Sequence, residues 1–341
     1  MLKRLRVLAG LFTLALAAAG LAACGRTSPD APATALEQAA RPINDAEFEA
    51  EPAKDAPAPK AGYSPAMLKL EVLLDRARFS PGLIDGRFDE NLRHALMAYR
   101  QANGMRGEAA LDKAVWAKLT MADPRAVLRA YTIDADDVAG PFTPVPGDLA
   151  AMARLNLLGY ATPAEALAEA FHMDPALLMA LNPGATLLPG ETVLVADRGS
   201  DDLGADIYRV EVDSVLNLVR AFGARGDLLA AYPATVGSLQ SRPPKGLFAV
   251  ETIEAQPNYD YQTGQITLGG PVRGPTVMPA GPNSPVGVVW IGLSAPGCGI
   301  QGAPDPAGIG KPAGRGCVRL TNWDARELAR GVRPGVAVAF R

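Results

Sequence analysis

Cys317 has the sequence surroundings of a reactive thiol. It lies in the stretch IGKPAGRGCVRLTNWD, where Gly314 and Gly316 form a tight turn that would present its side chain. A thiol attacks only as the thiolate, so a nucleophilic cysteine normally needs a base beside it. The neighbouring Arg315 can favour the thiolate, but it cannot usefully donate a proton because arginine does not titrate. The stretch therefore predicts a cysteine that can be charged but has no proton donor in its own turn.

A second cysteine leaves another interpretation open for Cys317. Cys298 and Cys317 are the two cysteines that follow Cys24, and such a pair can form a disulfide outside the cytoplasm. Cys298 lies three residues before Gln301 in a predicted strand, where strict alternation turns residues 298 and 301 to opposite faces. Alternation argues against the pairing, but Cys317 remains either a free nucleophile or half of a disulfide.

The first 24 residues predict export and attachment to a membrane. Three basic residues open the chain, and an apolar stretch that is short for a membrane span follows them. The next residues, LAAC, resemble the lipobox of bacterial lipoproteins, which implies a signal peptide over 1–24 and a lipid on Cys24. An ordinary secretory signal is the alternative. We expect a lipid-anchored protein of the cell envelope that faces the periplasm.

The composition is that of a globular protein, with 48% hydrophobic and 20% charged residues over 341 positions. Residues 25–62 are rich in Ala, Pro and acidic residues and lack apolar periodicity, so they are predicted to form an extended tether. The net charge of -3 and the lack of a basic patch with interleaved aromatics argue against a nucleic-acid partner. With two histidines in the chain, we expect no metal centre and no cofactor.

Residues 63–123 have the apolar spacing of three short helices. Their series IDGRF, ALMAYRQANGM and LDKAVWAKL resembles the small peptidoglycan-binding domain attached to many cell-wall enzymes. Residues 131–197 predict two short helices and a strand, and this segment partly resembles a LysM-type glycan-binding module. His94 and His172 lie in these two parts, and we expect both to be structural.

From residue 206 to residue 341 the pattern changes to β. Short apolar or alternating runs such as YRVEVD, GLFAVETIE and VVWIGLS are separated by Gly and Pro turns. A terminal helix follows, for which Asn322 is the expected N-cap. The predicted fold is multidomain α+β: a three-helix domain, a LysM-like α/β segment and a β-rich C-terminal domain.

The C-terminal domain resembles the catalytic domain of the bacterial L,D-transpeptidases over almost the whole of WIGLSAPGCGIQGAPDPAGIGKPAGRGCVRLTNWDARELARGVRPGVAVAF. The upstream stretches YPATVGSLQSRPPKGLFAV and GPNSPVGVVWIGLS extend the match across most of residues 206–341. The resemblance implies that Cys317 is the nucleophile and that Arg319 contacts the peptide stem of the substrate. It also implies that the two histidines of the family motifs are replaced here, one by Gln301 and the other by Arg315. The resemblance further implies that Gly316, Gly302 and Trp290 bind the substrate.

The implied reaction is acyl transfer on peptidoglycan stem peptides. A thiolate attacks the carbonyl on the L side of an L,D peptide bond, D-alanine departs, and an amine takes the acyl group. Loss of a general acid or base typically costs about 10²–10⁴-fold in rate. Asp305, Asp324 or a water molecule are the remaining candidates for the proton donor. We therefore expect a weakened transferase of cell-wall biogenesis and cell shape.

Two other hypotheses fit the same residues. The chain can be a pseudoenzyme that keeps the fold to bind peptidoglycan stems, or a wall tether in which all three parts hold glycan and peptide. Other cell-wall chemistries fit less well. A zinc hydrolase needs clustered histidines, and a serine penicillin-binding enzyme needs a Ser-x-x-Lys motif that this sequence lacks.

Overall fold

The computed structural model of the protein describes residues 34–53, 59–107, 110–237, 243–267, 274–311 and 316–341. The predicted signal peptide with Cys24, the start of the predicted tether, and Arg315 lie outside these residues. Ala35–Arg341 is one compact unit. Among the helices in the described ranges, none is both long and apolar enough to cross a membrane.

Short polar side chains set the helix starts. In seven of the described helices, a Ser, Thr or Asp accepts a hydrogen bond from a backbone N–H of the first turn, a group that the helix leaves unpaired. The helices are α1 Ala35–Asn44, α2 Pro65–Arg76, α3 Glu90–Ala102, α4 Lys113–Ala122, α5 Leu149–Met152, α6 Pro163–Ala170, α7 Pro175–Leu181 and α8 Asn322–Gly331. The predicted cap of α8 was wrong by one residue, because the Thr321 hydroxyl accepts the Asp324 N–H at 3.1 Å.

Helix α1 corrects the prediction that residues 25–62 are an extended tether. Its Ala40 and Ile43 are 3% and 2% exposed, and with Leu36 they follow the spacing of one helix face. The Asn44 side chain at its end accepts the N–H groups of Val127 and Leu128 at 2.9 and 2.8 Å. The prediction rested on the Ala-, Pro- and acid-rich composition of residues 25–62, which does not show this short amphipathic pattern.

The strands are β1 Leu128–Thr132, β2 Thr192–Ala196, β3 Arg209–Asp213, β4 Leu218–Phe222, β5 Leu228–Pro233, β6 Thr235–Val236, β7 Gly246–Ala255, β8 Asn258–Asp260, β9 Ile266–Thr267, β10 Val277–Met278, β11 Val289–Leu293, β12 Gly299–Gln301, β13 Val318–Arg319 and β14 Ala337–Phe340. The described sheets have the orders β1-β2, β10-β8-β9 and β5-β4-β3-β14-β7-β11-β12-β13-β6. The prediction of a β-rich C-terminal domain is confirmed.

The nine-stranded sheet bends around its own core. The first part of β7 pairs with β14 and the rest pairs with β11, while β5 and β6 are separated by Ala234 alone and occupy the two ends of the strand order. Val210, Ile291 and Val338 are fully buried between the strands and α8. At the β6 end of this order the strands are short: β12 pairs with β13, and β13 pairs with β6.

The N-terminal elements share a core with the C-terminal domain. Leu218 of β4 and Ala231 of β5 belong to the same apolar cluster as the buried residues of α2–α4. The backbone continues this contact, because Ser80 N–H donates to the Ala231 carbonyl at 2.9 Å and Ala231 N–H donates to the Arg78 carbonyl at 3.0 Å. Three helices do occupy residues 65–122, but their assignment as a peptidoglycan-binding domain, like that of the LysM-like segment, stays a prediction.

His172 lies at this junction as a buried structural residue. Its Nδ1 is 3.1 Å from Asp75 Oδ1, and its ring stacks on Trp323 of α8 with a centroid separation of 4.9 Å. Burial lowers the pKa of the imidazole, while the Asp75 carboxylate opposes that change. A neutral, stacked imidazole packs α2 against α8.

We expect Asn322→Ala to lower the free energy of unfolding by about 2–3 kcal/mol. The Asn322 amide accepts Val288 N–H at 3.2 Å and donates to Glu169 Oε2 and the Pro282 carbonyl at 3.0 and 3.1 Å. Because Asn322 is 1% exposed, its loss leaves several buried polar groups unpaired. Urea denaturation monitored by tryptophan fluorescence measures the change.

Asn103→Ala is the matched control for this prediction. Asn103 is exposed and its side chain donates one hydrogen bond, to the Tyr99 carbonyl at 2.9 Å. We expect its removal to cost less than about 1 kcal/mol. Equal losses in the two variants would show that the buried Asn322 network does not hold the segments together.

Candidate active site

Two parallel strands place Cys317 next to Gln301. β12 and β13 pair with Ile300 opposite Val318 and Gln301 opposite Arg319. Cys317 directly precedes β13, and its carbonyl accepts the Gly237 N–H at 2.7 Å. Gln301 and Cys317, which are separated in sequence, therefore lie at neighbouring strands next to β6, the last strand of the sheet order.

Gly316 is suited to its position for two reasons. Its φ of +122° lies where side chains are disfavoured. A Cβ at this position would also stand 3.4 Å from both the Arg319 side chain and Gln301 Oε1. The turn therefore brings the backbone before Cys317 close to both polar residues.

Gln301 occupies a buried, oriented position. Its side chain is enclosed, with the residue 2% exposed, and Nε2 donates to the Pro285 carbonyl at 3.0 Å. The amide has no titratable proton at ordinary pH, so it orients groups but cannot act as a general acid or base.

A cleft of about 510 Å³ is lined by residues of β12 and β13 and of the neighbouring loops. Among the predicted site residues, those that line it are Cys317, Gly316, Gln301, Arg319 and Trp290. Gly302 does not line it; it lies beneath, against Asn322 and Gly287, where there is no room for a Cβ. Gly302 therefore supports the packing of the cleft floor rather than contacting a ligand in the cleft.

Arg319 supplies the charge of this cleft. Of the described residues that line it, Arg319 is the one with a charged side chain. Its Nε and Nη2 are buried and have no hydrogen-bond partner, and burial lowers the pKa of the guanidinium. Unpaired donors of this kind favour an incoming carboxylate or carbonyl oxygen.

Cys298 and Cys317 form a disulfide, with Cα atoms 5.2 Å apart. This corrects the argument from strand alternation. Cys298 lies in the turn that connects β11 to β12, where its N–H donates to the Ala295 carbonyl at 3.1 Å. Since β12 begins only at Gly299, alternation within a strand does not govern the direction of the Cys298 side chain.

The two acidic candidates for a proton donor lie elsewhere. Asp305 is exposed and accepts the Ala307 N–H at 3.0 Å in a short turn. Asp324 is 2% exposed and bonds Ser80 Oγ at 3.0 Å. Neither carboxyl group lines the cleft, and neither do His94 and His172. The described residues that line the cleft include no His, Asp, Glu or Lys, the side chains that most often act as general acid or base near neutral pH.

Sequence reasoning missed the apolar walls of the cleft. The additional lining residues include Leu149, Tyr259, Tyr261, Pro285, Val286 and Pro304. The tyrosines two positions apart in NYDYQTG were a usable signal, because alternate residues of a strand share a face. Leu149 comes from α5 in the middle segment, and nothing in its local sequence predicts this contact.

The site and the comparisons define the class of the C-terminal domain. Residues 208–339 match the family model of the L,D-transpeptidase catalytic domain, called YkuD. Within the described ranges, no group of three or more His, Cys, Asp or Glu side chains is placed to hold a metal ion. The match to the family model assigns residues 208–339 to the L,D-transpeptidase catalytic domains, a family that acts on the cell wall.

Two Bacillus proteins are similar over a longer stretch. The YkuD proteins of Bacillus licheniformis and Bacillus subtilis, provisionally named L,D-transpeptidases, are each 28% identical to this chain. The alignments cover 180 and 176 residues, 52% and 51% of this chain and 92% and 90% of those proteins. Because only two residues follow residue 339, each alignment extends upstream of the matched domain.

Two solved structures have weaker likeness. An L,D-transpeptidase from Xylanimonas cellulosilytica is 14% identical with a TM-score of 0.35, covering 87% of this chain and 100% of that one. L,D-transpeptidase 1 of Mycobacterium tuberculosis is 19% identical with a TM-score of 0.28, covering 40% of this chain and 62% of that one.

Proposed function

We propose that this protein transfers acyl groups of peptidoglycan stem peptides through Cys317. The main support for this proposal is that Cys317 and the unpaired Arg319 guanidinium line one cleft. That cleft belongs to the domain that matches the L,D-transpeptidase family model. Stem peptides carry carboxylates, which the Arg319 N–H groups can bind. The apolar walls at Tyr259, Tyr261 and Val286 suit the aliphatic parts of such a peptide.

The reaction requires Cys317 as a thiolate. Its Sγ forms a bond to the carbonyl carbon on the L side of the L,D peptide bond, and the C–N bond to the D-residue breaks. The departing amine takes up one proton as it leaves. An acceptor amine then attacks the thioester, loses a proton, and releases the Cys317 thiolate. Because Gln301 cannot supply the proton, water is the proton source within the described cleft, and turnover is slow.

Mass spectrometry of tetrapeptide muropeptides tests the proposal. The purified protein, reduced with a small dithiol, is incubated with muropeptides beside a Cys317→Ala variant. We expect D-alanine release or a cross-linked product from the wild type and none from the variant. Arg319→Gln should raise the substrate concentration needed for half-maximal rate. Product formation by Cys317→Ala would remove Cys317 from the reaction.

A second candidate function is binding of peptidoglycan without turnover. It is favoured by Gln301, because the described cleft keeps a substrate-sized volume and an unpaired guanidinium but is lined by no His, Asp, Glu or Lys. Under this alternative, the reduced wild type and Cys317→Ala bind muropeptides with equal affinity, and neither forms product. Arg319→Gln lowers that affinity.

We also propose that the chain is a periplasm-facing lipoprotein anchored through Cys24, with the three helices and the LysM-like segment holding the wall. The support is the lipobox-like LAAC and the two module resemblances. Metabolic labelling with a tagged fatty acid should mark the wild type and not Cys24→Ala. Pull-down on purified peptidoglycan sacculi should retain a Cys317→Ala chain, since wall binding does not need the nucleophile.

A further inference from the structure

Cys317 lines two clefts. The first is the cleft described above. The second, of about 400 Å³, is lined also by Cys298, Pro243, Pro244 and Phe248. Cys317 is half-buried, whereas Cys298 is 6% exposed. Cys317 is therefore the more exposed residue of the pair, and it is the residue that the proposed reaction uses.

The strands do not depend on this bond for their alignment. β12 and β13 are paired through Ile300 and Val318, and Leu320 N–H donates to the Gln301 carbonyl at 2.9 Å. On the other side, β6 pairs with β13. These backbone hydrogen bonds pair the strands independently of the disulfide, so we expect the cleft to keep its shape when the bond opens.

A sulfur in a disulfide is not a nucleophile toward a carbonyl carbon. We propose that Cys298–Cys317 is a thiol–disulfide exchange site through which a dithiol protein switches the site on. This inference rests on the proposed function, because its consequence for activity requires that Cys317 be the nucleophile. Cys298 has no part in acyl transfer; it is the disulfide partner that keeps Cys317 from acting as a nucleophile.

The exchange balances as a two-electron step. A thiolate of the dithiol protein attacks Sγ of Cys317, the more exposed residue of the pair, and forms a mixed disulfide. The bond to Cys298 breaks, and Cys298 leaves as a thiolate that takes up a proton. The second thiol of the same protein then attacks its own mixed-disulfide sulfur. Cys317 leaves as the thiolate, and the dithiol protein becomes a disulfide.

The test reads thiol state and nucleophilicity separately. The full-length protein is prepared without reductant, and one half is treated with a reduced thioredoxin-type dithiol protein. Each half is then reacted with iodoacetamide or with a carbapenem, and peptide mapping by mass spectrometry separates Cys24 from the pair. We expect no adduct on Cys298 or Cys317 before reduction, and both alkylation and a carbapenem adduct on Cys317 after it.

Cys298→Ser provides the matched variant, with thermal unfolding followed to show that it is folded. We expect it to form the carbapenem adduct on Cys317 with no reductant at all, at the rate of the reduced wild type. Cys317→Ser should form none in either state. Adduct formation by unreduced wild type would overturn the exchange site, as would failure of the dithiol protein to open the bond in the folded chain.

The proposed function fails in a different way. If Cys317 is alkylated in reduced wild type and in Cys298→Ser, but neither forms a carbapenem adduct or muropeptide product, Cys317 is not an acyl-transfer nucleophile. In that case the proposed function and the redox control of activity are both overturned. The alkylation data still show whether the dithiol protein opens the Cys298–Cys317 bond. Failure of the exchange site is therefore seen in the iodoacetamide adduct of Cys317, and failure of the proposed function is seen in its carbapenem adduct.

Discussion

Gln301→His is expected to raise the rate of acyl transfer by the reduced protein by about 10²–10⁴-fold, the usual contribution of a positioned general acid–base group. Gln301 is buried opposite Arg319, and its Nε2 donates to the Pro285 carbonyl at 3.0 Å. An imidazole there can donate through one nitrogen to the same carbonyl and direct the other toward Cys317. It would both take the thiol proton and protonate the leaving amine.

Single-turnover and steady-state assays of D-alanine release measure this change. If the new histidine acts as a general acid or base, the rate also depends on pH near the pKa of the imidazole, which is about 6.5 when unperturbed. Gln301→Met is the control, since it keeps the length of the side chain but has no titrating group. If Gln301→His is folded, is acylated by a carbapenem and still shows no gain, the missing proton donor is not what limits the reaction.

Glu327→Gln is expected to stabilise the protein relative to wild type as pH rises. Glu327 of α8 is buried beneath the sheet, with its carboxyl oxygens 3.4 Å from Tyr232 Oη and 3.4 Å from Arg78 Nη1. Burial raises the pKa of Glu327 to about 7, and the nearby Arg78 opposes this only in part. The folded state therefore prefers the protonated form.

The direction of the pH effect follows from proton binding. The folded protein keeps the Glu327 proton between about pH 4.5 and pH 7, where the unfolded chain has lost it, so this group lowers stability as pH rises through that range. A shift from 4.5 to about 7 corresponds to about 3 kcal/mol. The unfolding free energy of Glu327→Gln minus that of wild type should grow by this amount between pH 4 and pH 8.

Urea denaturation at each pH measures the difference, with both proteins kept in the same oxidation state. Glu251→Gln, at an exposed position of β7, is the control for the change in net charge. A constant difference between Glu327→Gln and wild type across this pH range would show that Glu327 is ionised without cost in the folded protein. The junction between the N-terminal elements and α8 would then be insensitive to pH at this residue.

Much of the C-terminal domain could be predicted because its signals are local. The alternating runs correspond to strands β3, β4, β7, β11 and β14. Gly316, predicted to form a turn, has a φ of +122°. The tether prediction was wrong for α1 because three apolar positions at helical spacing lay within a segment rich in Ala and Pro. The burial of Ala40 and Ile43 depends on a partner surface that is distant in sequence.

The same reason explains what sequence reasoning missed at the site. Leu149 reaches the cleft because the middle segment packs on the loop before β11, where Leu158 N–H donates to the Ala280 carbonyl and Asn283 N–H donates to the Leu158 carbonyl. No pattern within either segment encodes that contact. The unpaired state of Arg319 likewise depends on which groups surround it after folding.

The sequence by itself determined the chemical types at the nucleophile turn: Cys317 as the thiol, and Gln301 and Arg315 where the related motifs have histidine. Only the tertiary structure decided that Cys317 pairs with Cys298, that Arg319 is left without a partner in the cleft, and that the N-terminal helices share a core with the catalytic domain. The identity of a side chain is a local property, whereas its partners depend on distances that packing alone sets between residues far apart in the chain.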